Sequence, residues 1–326
     1  MYLSILLSVS LAAMPKYHLD HRIQLSGNEG WDYLTMDSKS DRLFVTRGNH
    51  VDVFNVKTET LVGSIKQFID GAHGVALAPQ LGKGYISSGK NSSVVVFDYH
   101  TLKILKTIPA GKKADAIVFD PLTSRVFCFN GEKTITVIDA IKDESIKTIA
   151  LDSKPEFAAA DEKGNIYFNG EDTNTLLKLR TQEMVIQHSW PLAGCQSPSG
   201  LAADFANHLI FSVCENEVMV VTDSETGRQI QKLPIGQGAD FAAFDAGFSF
   251  SSNGQGNLTV VQEKDPQTFE VIQTVNTLKS ARTMAIDPKT HTIYLVAAKF
   301  ETAAITASGV RPKIIPETVE ILVLKK

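Results

Sequence analysis

The chain has 326 residues, of which 43% are hydrophobic and 21% charged, and its formal net charge is −4. This composition excludes intrinsic disorder, which needs fewer apolar residues and more net charge, and the near balance of charges offers no overall attraction for nucleic acid. The length alone suggests about two domains, although β-barrels and propellers of this size form one.

The first predicted element is an apolar leader. Residues 3–13 read LSILLSVSLAA and carry no charge. Eleven residues are too few to span a bilayer as a helix, but they suit the core of a signal peptide, and small residues follow at its end. We therefore predict a signal peptide over residues 1–13, a mature chain of residues 14–326 and a periplasmic or secreted location. The alternative is a buried N-terminal strand or helix. No later stretch is apolar for long enough to predict a membrane span.

The rest of the chain repeats itself. A short apolar strand ending in Asp, or in Ala before Pro, recurs seven times at intervals of 41, 42, 41, 43, 41 and 42 residues. We call the last residue of each such strand its anchor; the anchors are Asp37, Ala78, Asp120, Asp161, Asp204, Asp245 and Asp287. Three more short strands with β-branched and aromatic residues follow most anchors, separated by polar turns. Four strands in a repeat of this length are typical of a propeller blade, so the sequence predicts a single all-β domain with seven four-stranded antiparallel blades.

The ends of the chain predict how the ring closes. The last repeat ends after its third strand, at residues 318–324, whereas residues 17–26 resemble a spare fourth strand ahead of the first repeat. We expect the N-terminal strand to complete the last blade and to close the ring. The segment of residues 301–316 is an insertion that should stand out from it.

The repeats resemble the YVTN-type β-propeller family. The resemblance is carried by Arg125-Val126-Phe127-Cys128-Phe129-Asn130-Gly131 followed by Ile135-Thr136-Val137-Ile138-Asp139, and by Gly84-Tyr85-Ile86-Ser87-Ser88-Gly89 followed by Val94-Val95-Val96-Phe97-Asp98. The resemblance covers nearly all of the mature chain, which is similar to YncE-like exported bacterial proteins. The Trp-Asp and Gly-His signatures of WD40 repeats do not recur here. The resemblance is specific for the fold and implies little about function.

Two of the three cysteines, Cys195 and Cys214, fall within one repeat. In an oxidising compartment they are candidates for a disulfide, and the alternative is two separate buried residues. Cys128 lies in an apolar strand and is predicted to fill the core.

Aligning the repeats reveals a polar column. The position five residues before each anchor, where the chain is expected to enter the innermost strand at one mouth of the channel, is polar in every repeat. Its members are Asp32, His73, Asp115, Glu156, Ser199, Asp240 and Arg282. Aromatic residues flank this column at Trp31, Tyr33, Phe157 and Phe241, and packing between blades is the expected role for them.

Three interpretations of the column stay open. The carboxylates Asp32, Asp115, Glu156 and Asp240, together with His73, suit Ca²⁺ or another divalent ion on the channel axis, since hard cations prefer oxygen ligands. The same groups suit a small polar ligand or a protein partner, or general acid–base chemistry. Finally, channel mouths are wet, and polar residues there need no ligand.

We therefore predict a monomeric binding or interaction scaffold. A calcium-dependent hydrolase similar to propeller lactonases is the alternative, as is a propeller subunit of a periplasmic redox complex. No catalytic residue is assigned, no cofactor other than Ca²⁺ is suggested, and nucleic acid is disfavoured by the acids of the column.

Overall fold

The computed structural model describes residues 16–301 and 313–326, which form seven four-stranded antiparallel sheets arranged as the blades of a propeller. The predicted fold class is confirmed. The predicted signal peptide lies outside the described residues. Apart from one 3₁₀ turn at Pro79–Leu81, the described residues form no helix. No helix in this part of the chain is long and apolar enough to cross a membrane.

The strands follow one another from the channel outward in each blade. The first strand within the described residues is β1 (His18–Gln24). Blade 1 contains β2 (Leu34–Asp37), β3 (Arg42–Arg47), β4 (His50–Asn55) and β5 (Thr60–Lys66). Blade 2 contains β6 (Ala72–Ala78), β7 (Lys83–Ser88), β8 (Ser93–Asp98) and β9 (Ile104–Pro109). Blade 3 contains β10 (Ala114–Asp120), β11 (Arg125–Asn130), β12 (Thr134–Asp139) and β13 (Glu144–Ala150).

The second half of the ring repeats this order. Blade 4 contains β14 (Pro155–Ala160), β15 (Asn165–Gly170), β16 (Thr175–Arg180) and β17 (Val185–Pro191). Blade 5 contains β18 (Pro198–Asp204), β19 (Leu209–Cys214), β20 (Val218–Asp223) and β21 (Gln229–Pro234). Blade 6 contains β22 (Ala239–Asp245), β23 (Phe248–Asn253), β24 (Asn257–Asp265) and β25 (Thr268–Asn276). Blade 7 contains β26 (Met284–Asp287), β27 (Thr292–Ala297) and β28 (Glu320–Lys325), with β1 as its outermost strand.

The hydrophobic pattern matches the position of each strand. The two middle strands of a blade are covered on both faces by neighbouring blades, and strands such as β8 are apolar and buried along nearly their whole length. The outermost strands, such as β5, are largely exposed. Strands buried on both faces need continuous apolar runs rather than alternation, which explains why the middle strands gave the strongest signal.

The recurring anchor has a structural reason. The buried carboxylate of Asp120 accepts hydrogen bonds from the Leu122 amide and, at 2.6 Å, from the Thr123 hydroxyl. Asp287 does the same for Lys289 and Thr290. An Asp at this place closes the turn between the first and second strands by bonding to the backbone two residues later. Blade 2, which has Ala78 instead, makes this connection with its 3₁₀ turn.

The ring closes as predicted. β1 pairs antiparallel with β28, with His18 opposite Lys325 and Gln24 opposite Glu320. Tyr17, just before β1, is 2% exposed and packs edge-to-face on Phe250 of blade 6 with ring centroids 5.2 Å apart. The N-terminal strand therefore joins the last blade and also contacts the blade before it. Of the predicted insertion, residues 302–312 lie outside the described residues.

Blade 5 carries a covalent cross-link. Cys195, which follows β17, forms a disulfide with Cys214 at the end of β19, 19 residues later. Cys128 is a free, buried cysteine in β11.

Candidate functional site at the channel mouth

The polar column lies at one mouth of the channel. His73, Asp115, Glu156, Ser199 and Asp240 are each the second residue of the innermost strand of blades 2 to 6, and Asp32 and Arg282 stand two residues before β2 and β26. Five of the seven thus lie within the strand rather than in the loop entering it, where the sequence placed them.

A β-bulge explains this difference. In blade 3, Ala114 pairs with Asn130 and Ile117 pairs with Cys128, so two residues of β10, Asp115 and Ala116, lie opposite the single residue Phe129 of β11. The register of blades 2, 4, 5 and 6 shifts at the equivalent point. A bulge inserts one extra residue and redirects its side chain, so the strand begins earlier than its apolar pattern and still presents a polar group at the mouth.

Blades 1 to 3 bring Asp32, His73 and Asp115 together. His73 Nδ1 lies 2.5 Å from Asp32 Oδ2 and 3.6 Å from Asp115 Oδ1. Asp115 Oδ1 is buried and accepts no hydrogen bond from the described residues.

The electrostatics of this cluster follow from burial and mutual contact. Burial raises the pKa of Asp115 to about 6, with a contribution from Asp32, while the charge of His73 opposes the shift. Burial alone would lower the pKa of His73, but the hydrogen bond to Asp32 and the nearby carboxylates outweigh it and raise this pKa above its ordinary value. The cluster therefore holds protons at a pH at which exposed carboxylates have lost them.

In blades 4 to 7 the carboxylates have cationic partners. Lys154 Nζ lies 2.6 Å from Glu156 Oε1 and 2.5 Å from Glu171 Oε2. Burial still raises the pKa of Glu156 to about 7, because the attraction of Lys154 does not offset burial together with repulsion from Asp115 and Glu171.

Asp240 is the other paired carboxylate of this half. Arg282 Nε lies 3.3 Å from Asp240 Oδ2, and the Ser199 hydroxyl donates to Asp240 Oδ1 at 3.1 Å. Burial nevertheless raises the pKa of Asp240 above its ordinary value.

Three aromatic rings close the channel beneath the column. Tyr33 of blade 1, Phe157 of blade 4 and Phe241 of blade 6 meet with centroid distances of 5.4, 5.9 and 4.5 Å. We call these three residues the aromatic plug. Burial raises the pKa of Tyr33 well above its ordinary value, and all four carboxylates of the column raise it further. The phenol therefore lies within the electric field of the whole acidic ring.

The plug separates two different environments. Beyond it, towards the anchors, the channel forms a cavity of about 350 Å³ whose lining is mostly apolar and includes Met36, Ile117 and Ile286. The polar mouth is thus a blind cup with an aromatic floor. Three of the four flanking aromatic residues, Tyr33, Phe157 and Phe241, thus contact one another across the channel, whereas packing between adjacent blades was the role expected for them. Trp31 instead faces Phe300 at 6.3 Å, in a separate cavity of about 690 Å³ that shares Arg282 with the mouth.

The structure divides the four carboxylates that the sequence grouped around one Ca²⁺. Asp32 and Asp115 share His73, whereas Glu156 is paired with Lys154 and Asp240 with Arg282. Within the described ranges, the metal-ligating atoms that cluster are those of Asp32, His73 and Asp115, all within 4.8 Å of one another. Sequence reasoning missed Lys154, although its place two residues before Glu156 puts both side chains on the same side of an extended segment.

Other polar residues near the mouth serve the blades themselves. Asn130 donates to Thr134 and Thr136 within its own blade, and Asn169 donates to the carbonyl groups of Ser199 and Gly200 in the next blade. These side chains are buried and hold neighbouring backbone, so we do not count them among the groups open to a ligand.

The comparisons with known proteins identify the fold. No protein-family model and no curated protein sequence matches the chain. Among solved structures, the chain is similar to the WD40 repeats of RRP9 (TM-score 0.77, 8% identity, 94% of this chain and 97% of that chain). It is also similar to U3-55K (TM-score 0.76, 8% identity, 93% and 97%) and to Kuenenia stuttgartiensis hydrazine synthase (TM-score 0.70, 14% identity, 83% and 94%). At these identities the likeness is one of fold.

Proposed function

We propose that the protein is an exported binding scaffold whose channel mouth receives a positively charged group, from a small polar ligand or from a protein partner. The observation that carries this proposal is the convergence of four carboxylates on Tyr33, with Asp115 Oδ1 buried and without a hydrogen bond. Burial is the main cause that raises the pKa values of Asp115 and Glu156 to about 6 and 7, and repulsion between neighbouring carboxylates adds to it; a cation beside them would relieve that repulsion.

The shape of the mouth supports a small cationic group over a large one. The plug closes the channel below the carboxylates, so an occupant enters a blind cup and does not thread through the ring. Aromatic faces and carboxylates together are the surroundings that ammonium and guanidinium groups prefer. An amine, or the Lys or Arg side chain of a partner, fits this chemistry, whereas the phosphates of nucleic acid would be repelled.

Export and family membership belong to the same proposal. The apolar leader of residues 3–13 supports a signal peptide, and the disulfide of blade 5 supports an oxidising compartment such as the periplasm or the cell exterior. The repeats quoted above favour the YVTN-type, YncE-like propellers. We expect a monomer. Expression of the full chain with fractionation and N-terminal sequencing tests these points, because cytoplasmic retention with an intact N-terminus would contradict them.

Binding is tested with two amine probes, 1,4-diaminobutane and tetralysine, by isothermal titration calorimetry at low salt. The double variant Asp115→Asn/Glu156→Gln removes negative charge from the mouth and should weaken binding at least about tenfold. The matched control is Glu225→Gln, an exposed carboxylate in the turn between β20 and β21 at the other end of the propeller. Equal binding to all three proteins, or no binding to the wild type, would contradict the proposal.

A hydrolase is the second candidate, favoured by the contact between His73 and Asp32. A carboxylate that orients a histidine is the usual arrangement of a general base. Burial raises the pKa of the neighbouring Asp115 to about 6, so this carboxyl can act as a general acid at mildly acidic pH. Turnover in a panel of lactones and esters that disappears in His73→Gln would favour this candidate.

The fold likeness to hydrazine synthase keeps a place in a redox complex as a third proposal. Co-purification of a haem or quinone protein with the exported chain would support it.

A further inference from the structure

We propose that Asp32, His73 and Asp115 form a binding site for a divalent transition-metal ion, with Zn²⁺ preferred over Ca²⁺. This inference rests on the proposed function, since it names the positive group that one half of the mouth receives. Three consecutive blades each supply one donor, and the donor atoms lie within 4.8 Å of one another. It replaces the four-carboxylate calcium set expected from the sequence, which the ion pairs of Glu156 and Asp240 divide.

A second observation points to a ligand. Asp115 Oδ1 is buried and accepts no hydrogen bond from the described residues, yet it is aimed at His73 Nδ1 from 3.6 Å. A buried carboxylate oxygen without a partner is costly, and such atoms call for an ion or a water.

The distances suit a tetrahedral ion. Zn–N and Zn–O bonds of about 2.0–2.1 Å place neighbouring donor atoms about 3.3 Å apart. His73 Nδ1 lies 2.5 Å from Asp32 Oδ2 and 3.6 Å from Asp115 Oδ1, so the two distances bracket that value. An ion that replaces the proton between His73 and Asp32 requires these two donor atoms to move about 0.8 Å apart.

The donor chemistry selects the ion. Ca²⁺ takes six to eight oxygen ligands, and the cluster offers two carboxylates and a nitrogen. Imidazole nitrogen together with carboxylate oxygen suits Zn²⁺ and its neighbours in the first transition row. Three protein ligands leave the fourth position of a tetrahedral ion open toward the mouth, as in catalytic rather than structural zinc sites.

The surrounding backbone holds the three ligands in place. The Asp32 carbonyl accepts a 2.8 Å hydrogen bond from the Thr283 hydroxyl of blade 7, and the Asp115 carbonyl accepts one from the Ser87 hydroxyl of blade 2. A side chain at Gly89 would place its Cβ 2.7 Å from His73 Nε2, so this glycine makes room for the imidazole ring. Pre-oriented ligands of this kind raise metal affinity.

The test titrates Zn²⁺, and Ca²⁺ separately, into the metal-free, tag-free full chain by calorimetry. The absorption spectrum of the Co²⁺-loaded protein reports nitrogen and oxygen ligation. We expect one Zn²⁺ per chain, no competition by Ca²⁺, and affinity at least about tenfold weaker in Asp115→Asn and in His73→Gln. His208→Gln is the matched control, because His208 and Glu225 form an exposed His–carboxylate pair elsewhere.

Gly89→Ala keeps all three ligands but crowds the imidazole ring of His73, so this variant should also bind Zn²⁺ more weakly. Circular dichroism checks that the variant is folded. Zn²⁺ binding that persists in both ligand variants overturns the inference, as does its loss in the His208 control. Absence of Zn²⁺ binding with the amine probes still bound overturns the metal site and leaves the proposed function standing. If neither Zn²⁺ nor an amine binds, both fail.

Discussion

Replacing Glu156 by Gln should stabilise the protein, and only at neutral and alkaline pH. Glu156 faces Lys154, Glu171, Asp115 and the phenol of Tyr33, and its pKa is raised from the ordinary 4.5 to about 7. A carboxyl whose pKa is higher in the folded state binds its proton more tightly there than in the unfolded chain. The free energy of unfolding therefore falls as the pH rises from about 4.5 to about 7, and stays lower above that.

The magnitude follows from the size of the shift. A rise from 4.5 to about 7 corresponds to about 3 kcal/mol, at about 1.4 kcal/mol per pKa unit. Gln resembles the protonated carboxyl and does not titrate. Glu156→Gln should thus be more stable than the wild type by up to about 3 kcal/mol at pH 8 and by close to nothing at pH 4.5.

The assay is urea unfolding followed by tryptophan fluorescence at several pH values, in buffer with a chelator so that no metal occupies the mouth. The contributions of groups that titrate in both proteins cancel in the difference between the two free energies of unfolding. Glu225→Gln, the exposed control, should not reproduce the gain in stability at pH 8. A Glu156→Gln protein that is less stable than the wild type at pH 8 would refute the reasoning, because the ion pair with Lys154 would then outweigh the cost of burial.

Three further predictions concern the scaffold. Reducing the Cys195–Cys214 disulfide, which closes a loop of 19 residues, should lower the free energy of unfolding by about 3 kcal/mol; an unchanged urea midpoint with reductant would contradict this. Tyr17→Ala should lower the free energy of unfolding by about 3 kcal/mol, since the Tyr17 side chain is 2% exposed. A decrease of under about 1 kcal/mol would mean that Tyr17 adds little to closure of the propeller. Gly200→Ala should lower the thermal midpoint sharply, because its Cβ would lie 2.5 Å from the backbone of β22, whereas Gly30→Ala, with open space around it, should not.

The repeat made the fold predictable. The Asp anchors and the apolar middle strands recur in the sequence because each blade solves the same packing problem with the same turn and the same buried faces. The spare strand at the N-terminus and the missing one at the C-terminus were enough to predict how the ring closes. The start of the innermost strands was misplaced because a bulge hides it. The apolar pattern of β10 begins only at Ala116, so Asp115 resembles a loop residue.

The candidate site was predictable as a column and not as a set of contacts. Alignment of the repeats shows that Asp32, His73 and Asp115 occupy equivalent positions, but which side chains touch depends on their length and on neighbours outside the column. Lys154 lies outside the column, so alignment of the repeats does not reveal that it pairs with Glu156. The aromatic plug joins blades 1, 4 and 6, and contacts across a ring cannot be inferred from the order of its blades.

The pairing of β1 with β28 has a consequence for synthesis. About 300 residues separate the two strands, so at about 5–20 residues per second the ribosome takes about 15–60 s after making β1 to deliver β28. During that time β1 has an unpaired edge, which is a site for mispairing. Five of the seven residues of its sequence, HLDHRIQ, are charged or polar, and charges on an edge strand discourage pairing with a wrong strand. The composition of β1 is thus suited to a strand that waits for a distant partner.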